Sequence, residues 1–97
     1  MSLDEIRKEI DAVDSELVTL MKKRMQCSLK VAEIKRAENL PVYHPGREKQ
    51  ILDKVEGLSG EYGIYVRNIY QSIMTVSRSL QNDTLFKDSG FAEKISA

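Results

Sequence analysis

The sequence predicts an all-α protein with a long first helix, a short second helix and a third helix of medium length. Two observations predict this fold class. Apolar residues recur at a spacing of seven, without Pro or Gly, from Leu3 to about Glu38, and shorter stripes at helical spacing follow in two later segments. Strand-like alternation of apolar and polar residues is sustained nowhere. We therefore expect helices throughout.

The first predicted helix carries an apolar seam that is interrupted once. Its two heptad positions fall on Leu3, Ile10, Leu17, Arg24 and Val31, and on Ile6, Val13, Leu20, Cys27 and Ile34. Such a repeat is typical of a long helix packed against partner helices. At about 1.5 Å per residue the helix would be roughly 50 Å long. The rest of so short a chain cannot cover that length, so the seam predicts a partner chain.

Cap and turn residues define the ends of the first helix and the start of the second. Ser2 or Asp4 would cap the first helix. It would end at Asn39-Leu40-Pro41, because the residue before a proline avoids the helical conformation. Pro45 suits the first turn of the second helix.

The remaining boundaries follow from glycines and from the end of the last apolar stripe. The second helix is predicted to stop between Gly57 and Gly60. The third helix is predicted to start between Glu61 and Ile64 and to run to about Asn82. We expect one helical domain over residues 1–83, followed by a C-terminal tail or linker stub over residues 84–97.

Composition excludes several classes of protein. The 97 residues suit one domain, and 15 basic residues balance 15 acidic ones, which argues against a nucleic-acid partner. The single cysteine, Cys27, cannot form a disulfide framework. No signal peptide and no apolar run of membrane-spanning length is visible. We expect a cytoplasmic protein that contacts no membrane.

Three basic residues of the first helix are candidates for anion binding. Arg24 lies on the seam, where an arginine costs free energy unless it is paired or binds an anion. Glu16 or Glu56 is one candidate partner, and a small dianion shared with Lys35, about three turns further along the same face, is the other. Arg7 lies about 25 Å before Arg24. It is either a surface residue or is brought to the ligand by an antiparallel partner helix.

Five polar residues of the later helices complete the candidate set. Arg47 offers a planar fork for a carboxylate, and Glu48 either accepts from a hydroxyl or compensates the helix dipole. Ser77 and Gln81 lie four apart on a face that is either inward or partly exposed. His44 precedes a proline and is interpreted as a helix cap, and no His or Cys cluster supports a metal site. This inventory favours binding and polarising an anion over covalent catalysis.

In their order and spacing these residues resemble the all-helical (AroQ-type) chorismate mutases of the bacterial dimeric kind, from Leu3 to about Asp83. The markers are Arg7 within residues 3–11, Arg24, Lys35, Pro41-Val42, Arg47-Glu48, and Tyr70-Gln71 followed by Ser77 and Gln81. The resemblance implies an intertwined two-fold homodimer of three-helix protomers. Each of its two sites would be completed by the first helix of the partner.

The resemblance also implies an isomerase that rearranges chorismate to prephenate on the route to phenylalanine and tyrosine, without cofactor or metal. Carried over by position, Arg24, Arg47 and Arg7 of the partner subunit would bind the two carboxylates, assisted by Ser77. Lys35 would donate to the ether oxygen, where negative charge builds in the transition state.

The resemblance assigns the remaining site residues to the ether oxygen and the ring hydroxyl of chorismate. Gln81 would donate to the ether oxygen together with Lys35, and Glu48 would accept from the hydroxyl. His44 stands where the family usually has an aspartate that also serves near the hydroxyl. Hydroxyl recognition, or the cap of the second helix, is therefore expected to differ here.

Two other functions remain open at this point. One is an isochorismate pyruvate lyase of the same fold, against which Glu48 after Arg47 argues modestly. The other is a helical dimerisation or regulatory module with Arg24 setting the register, in which Arg24→Leu would stabilise the dimer without functional loss. The chain is either a free enzyme or the mutase part of a fusion, for instance with prephenate dehydratase. No regulatory amino-acid-binding domain is visible, so we expect no strong feedback by phenylalanine or tyrosine.

Overall fold

A computed structural model of the protein describes residues 1–86, which form three α-helices and one 3-10 turn. Helix α1 spans Leu3–Ala37, α2 spans Pro45–Leu58, a 3-10 turn spans Gly60–Tyr62, and α3 spans Gly63–Phe86. The prediction of an all-α fold with helices in the order long, short and medium is confirmed. No helix in this part of the chain is long and apolar enough to cross a membrane.

The end of α3 differs from the prediction. The helix continues to Phe86 instead of ending near Asn82, because no Pro or Gly follows to stop it there. The helix thus takes up the first residues of the tail predicted over residues 84–97. The rest of that tail, residues 87–97, lies outside the described residues.

The ends of α1 are closed by local hydrogen bonds. Ser2 Oγ accepts from the backbone N–H of Glu5 at 3.1 Å, and the Glu5 carboxylate accepts from the backbone N–H of Ser2 at 3.4 Å. This reciprocal capping box satisfies two of the free N–H groups at the helix start. At the other end Asn39 adopts a left-handed conformation with φ 57°, and the Leu40 N–H donates to the Lys35 carbonyl at 2.8 Å. The chain therefore turns directly after α1 ends at Ala37, shortly beyond Lys35.

The three helices form one flat layer. α3 packs against both α1 and α2, and the molecule measures 53 × 34 × 14 Å. A single helix with its side chains is about 10–12 Å across, so the thickness is close to that of one helix. Among the described residues the buried apolar side chains are only Ala32 and Met74. The described part of the chain thus encloses almost no core of its own.

The apolar seam of α1 remains exposed in the single chain. Arg24 is half-buried, whereas every other seam position is exposed, including Leu20 at 61% and Ile34 at 57%. The residues of α1 that α3 covers are Ser28 and Ala32. The described residues therefore do not cover the seam of α1, which agrees with the prediction that one chain cannot cover its own first helix.

α2 and α3 are held together by an ion-pair cluster and a close backbone approach. Arg67 donates to Asp53 at 2.8 Å and to Glu56 at 3.2 Å, while Lys49 pairs with Asp53 at 2.8 Å. A Cβ on Gly63 would lie 2.7 Å from the Glu56 carbonyl oxygen. Glycine is therefore required where α3 begins against α2.

The same cluster makes part of this packing dependent on pH. Hydrogen bonds from Arg67 and then Lys49 lower the pKa of the Asp53 carboxyl below its usual value. A carboxyl with a lowered pKa in the folded state stabilises the fold above its usual pKa, and this contribution is lost as the pH falls through the lowered value. Because water reaches Asp53 and its two partners, their ion pairs contribute little to the free energy of unfolding.

Candidate active site

A cavity of about 280 Å³ is lined by residues of all three helices and of the loop that joins α1 to α2. It brings together seven of the eight predicted site residues, namely Arg24, Lys35, His44, Arg47, Glu48, Ser77 and Gln81. His44 and Arg47 are exposed, so the cavity is open to solvent. These residues come from distant parts of the chain and meet here.

The cavity is strongly positive although the chain is neutral. Its charged lining residues are Arg24, Lys35, Arg47 and Arg78 against the one carboxylate of Glu48, so positive charges exceed negative ones by three. Over the whole sequence 15 basic residues balance 15 acidic ones. Clustering like charges around one concavity raises the local concentration of anions. The cavity therefore suits a ligand with more than one negative charge.

Arg24 is held by neutral groups. Its Nη1 donates to Ser77 Oγ at 2.8 Å, and its guanidinium lies over the ring of Tyr70 at 5.9 Å from the centroid. Ser28 Oγ lies 3.3 Å from Ser77 Oγ and fixes that hydroxyl in turn. These contacts orient the guanidinium without neutralising its charge.

Neither carboxylate considered as a partner for Arg24 pairs with it within residues 1–86. Glu56 accepts from Arg67 instead, and the ion pairs of this region do not include Glu16. A half-buried arginine without a counter-ion is costly unless an anion binds to it. The interpretation of Arg24 as an anion ligand is favoured over that of a structural ion pair.

Lys35 is positioned by the turn that follows it. Its Nζ donates to the carbonyl oxygen of Val42 at 2.7 Å, and the side chain is half-buried. An ammonium group has three N–H donors. The contact with Val42 uses one of them and leaves two for a ligand in the cavity.

Gln81 supplies a neutral donor to the same cavity. It is 8% exposed, yet its amide makes no hydrogen bond with the side chains and backbone described here. Within the described part no polar side-chain atom is both sealed from solvent and unpaired. The amide of Gln81 is thus available to a ligand, which explains why a polar residue occupies this buried position of α3.

His44 caps α2, as predicted. Its Nδ1 accepts from the backbone N–H of Arg47 at 2.9 Å, and Pro45 occupies the first helical position. Because Nδ1 is the acceptor, the neutral ring carries its proton on Nε2. His44 therefore performs the capping task of an aspartate without adding a negative charge beside Arg47.

The ion pair between Glu48 and Arg78 was not anticipated from the sequence. Arg78 Nη1 donates to Glu48 Oε1 in a short contact, and the Arg78 guanidinium lies over the ring of Tyr43 at 4.9 Å from the centroid. Helical spacing could have indicated Arg78 as a site residue. Arg78 follows Met74 by four residues and precedes Gln81 by three, which places it on the same face of the helix. Helical spacing likewise places Ser28, four residues after Arg24, on the face of α1 that carries Arg24.

Arg7 is the one predicted site residue that the single chain does not bring to the cavity. It is exposed in the second turn of α1 and lies about 25 Å from Arg24 along the helix axis. The expectation that Arg7 cannot reach its own site is met. That it serves a partner's site stays a prediction.

The fold and the cavity together define a class of helical protein whose cavity is lined by cations and neutral donors and suits a small dianion. Comparison with known proteins identifies the family. The chain belongs to the type II chorismate mutases, whose family model matches residues 6–82.

Individual relatives agree with this assignment. The chain is 34% identical to the chorismate mutase of Methanocaldococcus jannaschii, over 86% of this chain and 87% of that protein. It is 35% identical to the bifunctional chorismate mutase/prephenate dehydratase of Aquifex aeolicus, over 81% of this chain but only 24% of that longer protein. Among solved structures, a conserved hypothetical protein from Pyrococcus furiosus matches with a TM-score of 0.69 and 34% identity, over 81% of this chain and 93% of that one.

Proposed function

We propose that the protein is a chorismate mutase that converts chorismate to prephenate, a step toward phenylalanine and tyrosine. One observation supports this most directly. Lys35 and Gln81 both present unused N–H donors to a cavity that also contains Arg24 and Arg47. The two arginines match the two carboxylates of the substrate, and the two donors match an oxygen on which charge develops.

The reaction is an isomerisation in which one carbon–oxygen bond breaks while one carbon–carbon bond forms, and no proton is transferred. The protein needs only to hold the substrate in a compact conformation and to stabilise the charge on the departing ether oxygen. Arg24 and Arg47 hold the carboxylates, with Ser77 beside Arg24. Lys35 and Gln81 donate to the ether oxygen.

The ring hydroxyl of chorismate is bound at Glu48. Its Oε1 accepts from Arg78, which leaves Oε2 to accept from the hydroxyl. His44 lies beside this end of the cavity and fixes the start of α2 through its bond to the Arg47 N–H. Its role at the hydroxyl is thus to position α2.

The active form is a homodimer in which Arg7 of the partner subunit completes each site. The exposed seam of α1 and the 14 Å thickness of the protomer support this assembly. A second cavity of about 200 Å³ is lined mainly by apolar residues, including Met25 and Ile73, and shares Arg24 and Ser77 with the first. An apolar surface thus continues to the edge of the site, where a partner helix would cover it.

The direct test is to incubate the purified chain with chorismate, follow the loss of its ultraviolet absorbance and identify the product by chromatography. Prephenate formed well above the uncatalysed rate is expected. Isochorismate, run in parallel with detection of pyruvate, tests the lyase alternative. A folded chain that converts neither compound would refute the enzymatic proposals and favour a non-catalytic dimerisation module.

Replacing Gln81 by glutamate should move activity toward acid. Gln81 donates through its amide, whereas a carboxyl can donate to the ether oxygen only when it is protonated. Burial at this position, 8% exposed in the wild type, would raise the pKa of the new carboxyl. The measurement is kcat against pH for Gln81→Glu and the wild type, and superimposable profiles would reject the role given to Gln81.

Placing a charge on the seam of α1 should dissociate the dimer. Val13 is 54% exposed in the single chain, and burying such a side chain typically stabilises by about 1.5–3 kcal/mol. Val13→Lys is expected to shift the mass measured by light scattering toward the monomer. Ser15→Lys is the matched control, because Ser15 lies off the seam on the same helix and is exposed. Equal masses for the two variants would contradict the proposed interface.

A further inference from the structure

The side chains of Glu48, Arg78 and Tyr43 form a stack beside the cavity, which Glu48 and Arg78 line. Arg78 donates to Glu48 through Nη1 and lies over the Tyr43 ring at 4.9 Å from its centroid. Its Nη2 also lies 3.5 Å from Thr75 Oγ1. Glu48 belongs to α2, Tyr43 to the preceding loop and Arg78 to α3, so the stack ties three segments together. We refer to these three residues as the Tyr43–Arg78–Glu48 stack.

Arg78 has two physical effects on Glu48. The first is orientation: a guanidinium held between a ring face and a carboxylate has little freedom, and it fixes the carboxylate it binds. The Glu48 side chain is 19% exposed and that of Arg78 is 32% exposed, so water screens the pair only in part. The second effect is charge, because the positive guanidinium offsets the negative carboxylate at the point where the ligand's hydroxyl binds.

A carboxylate whose charge is offset by a guanidinium distinguishes a neutral hydroxyl of the ligand from a charged ammonium group. It still accepts a hydrogen bond from a neutral hydroxyl through its second oxygen. An ammonium group bound to the same carboxylate would lie close to the Arg78 guanidinium, which is bound to the other carboxylate oxygen. Placing two positive charges close together is unfavourable. A free carboxylate, by contrast, would attract an ammonium group strongly.

We infer that Arg78 is a positioning and specificity-determining residue, which presents Glu48 to a neutral hydroxyl and disfavours substrates with an amino group at that position. This inference rests on the proposed function. It concerns which substituent the site accepts, whereas the proposed function concerns the rearrangement itself. Arg78 touches Glu48 rather than the reacting bond, so its effect should fall mainly on KM and much less on kcat.

The test compares two substrates, chorismate and its analogue with an amino group in place of the ring hydroxyl. In Arg78→Met, which keeps the length of the side chain but removes the charge, KM for chorismate should rise. The ratio of kcat/KM for the hydroxyl substrate to that for the amino analogue should fall by about tenfold, within the range of coupling between contacting groups. Arg78→Lys should keep the ratio near that of the wild type, because it restores the charge.

Tyr43 gives a second, independent pair of variants. Tyr43→Phe keeps the ring face and should behave like the wild type, whereas Tyr43→Leu removes the support of the guanidinium and should shift the ratio in the same direction by a smaller factor. Helical circular dichroism and the oligomeric mass establish that each variant is folded. If Arg78→Met does not fold, the substrate ratios of Tyr43→Leu and Tyr43→Phe are compared instead. A lower ratio in Tyr43→Leu supports the inference, and equal ratios overturn it.

The outcomes separate this inference from the proposed function. If the wild type converts neither substrate, the proposed function fails and the inference fails with it. If the wild type is active but a folded Arg78→Met leaves the ratio unchanged, or lowers kcat/KM for both substrates equally, only the inference is overturned. A fall in the ratio with Arg78→Met that Arg78→Lys does not show would establish it.

Discussion

Replacing Lys35 by alanine should lower kcat about 10²–10³-fold, the usual loss when a donor to a developing oxyanion is removed. The ammonium group is fixed by the Val42 carbonyl oxygen at 2.7 Å and keeps two further N–H groups with which to bind a ligand. Its attraction for the ether oxygen grows as the carbon–oxygen bond breaks, so the loss should appear in kcat. The measurement is steady-state conversion of chorismate by the variant and the wild type.

A matched control uses another lysine of the same helix. Lys30 is exposed and does not line the cavity, so Lys30→Ala should retain near-normal turnover. Lys35→Gln separates the two contributions of Lys35, since glutamine can still donate to Val42 but carries no charge. Near-normal turnover in a correctly folded Lys35→Ala dimer would refute the role assigned to this residue.

Mixing two inactive variants should restore activity if the site is shared between chains. Arg7→Ala and Lys35→Ala chains each lack one group in every site of their own dimers. In a hybrid dimer, Lys35 of one chain meets Arg7 of the partner subunit in one intact site. After complete exchange of equal amounts, about one quarter of all sites should be intact, because half of the dimers are hybrids and one of their two sites works.

A second mixture controls for non-specific recovery. Arg24 and Lys35 line the same cavity of one chain, so mixing Arg24→Ala with Lys35→Ala produces no intact site and should restore nothing. Subunit exchange is verified with chains carrying different affinity tags. No recovery in the first mixture despite exchange, or equal recovery in both, would rule out the shared site.

The sequence predicted best what depends on one helix at a time. The heptad seam and the placement of Arg24 and Lys35 on one face follow from the repeat of the α-helix, which needs no knowledge of neighbouring elements. Capping chemistry left Ser2 or Asp4 as the start of α1, and Ser2 is the cap. The start of α2 at Pro45 follows similarly from local chemistry.

Contacts between helices were not predictable in this way. Arg78 of α3 contacts Glu48 of α2, and Ser28 of α1 contacts Ser77 of α3. Both contacts depend on how the helices cross and on the loop that joins α1 to α2. Periodicity gives the face on which a residue lies but not the residue opposite it. Periodicity left open whether Ser77 and Gln81 face inward, and the family resemblance assigned them to the site. The bonds of Ser77 to Arg24 and Ser28 of α1 are visible only in the three-dimensional fold.

The flatness of the protomer has a consequence for how the protein responds to dilution. A layer 14 Å thick with Ala32 and Met74 as its buried apolar side chains in the described region has little to hold it together without a partner chain. In the proposed homodimer, loss of the partner and loss of the helical structure would be a single equilibrium, whose midpoint depends on total protein concentration. Substitutions at seam positions such as Leu20 would weaken function by changing the concentration at which the chain assembles, with the chemistry of each assembled site unchanged.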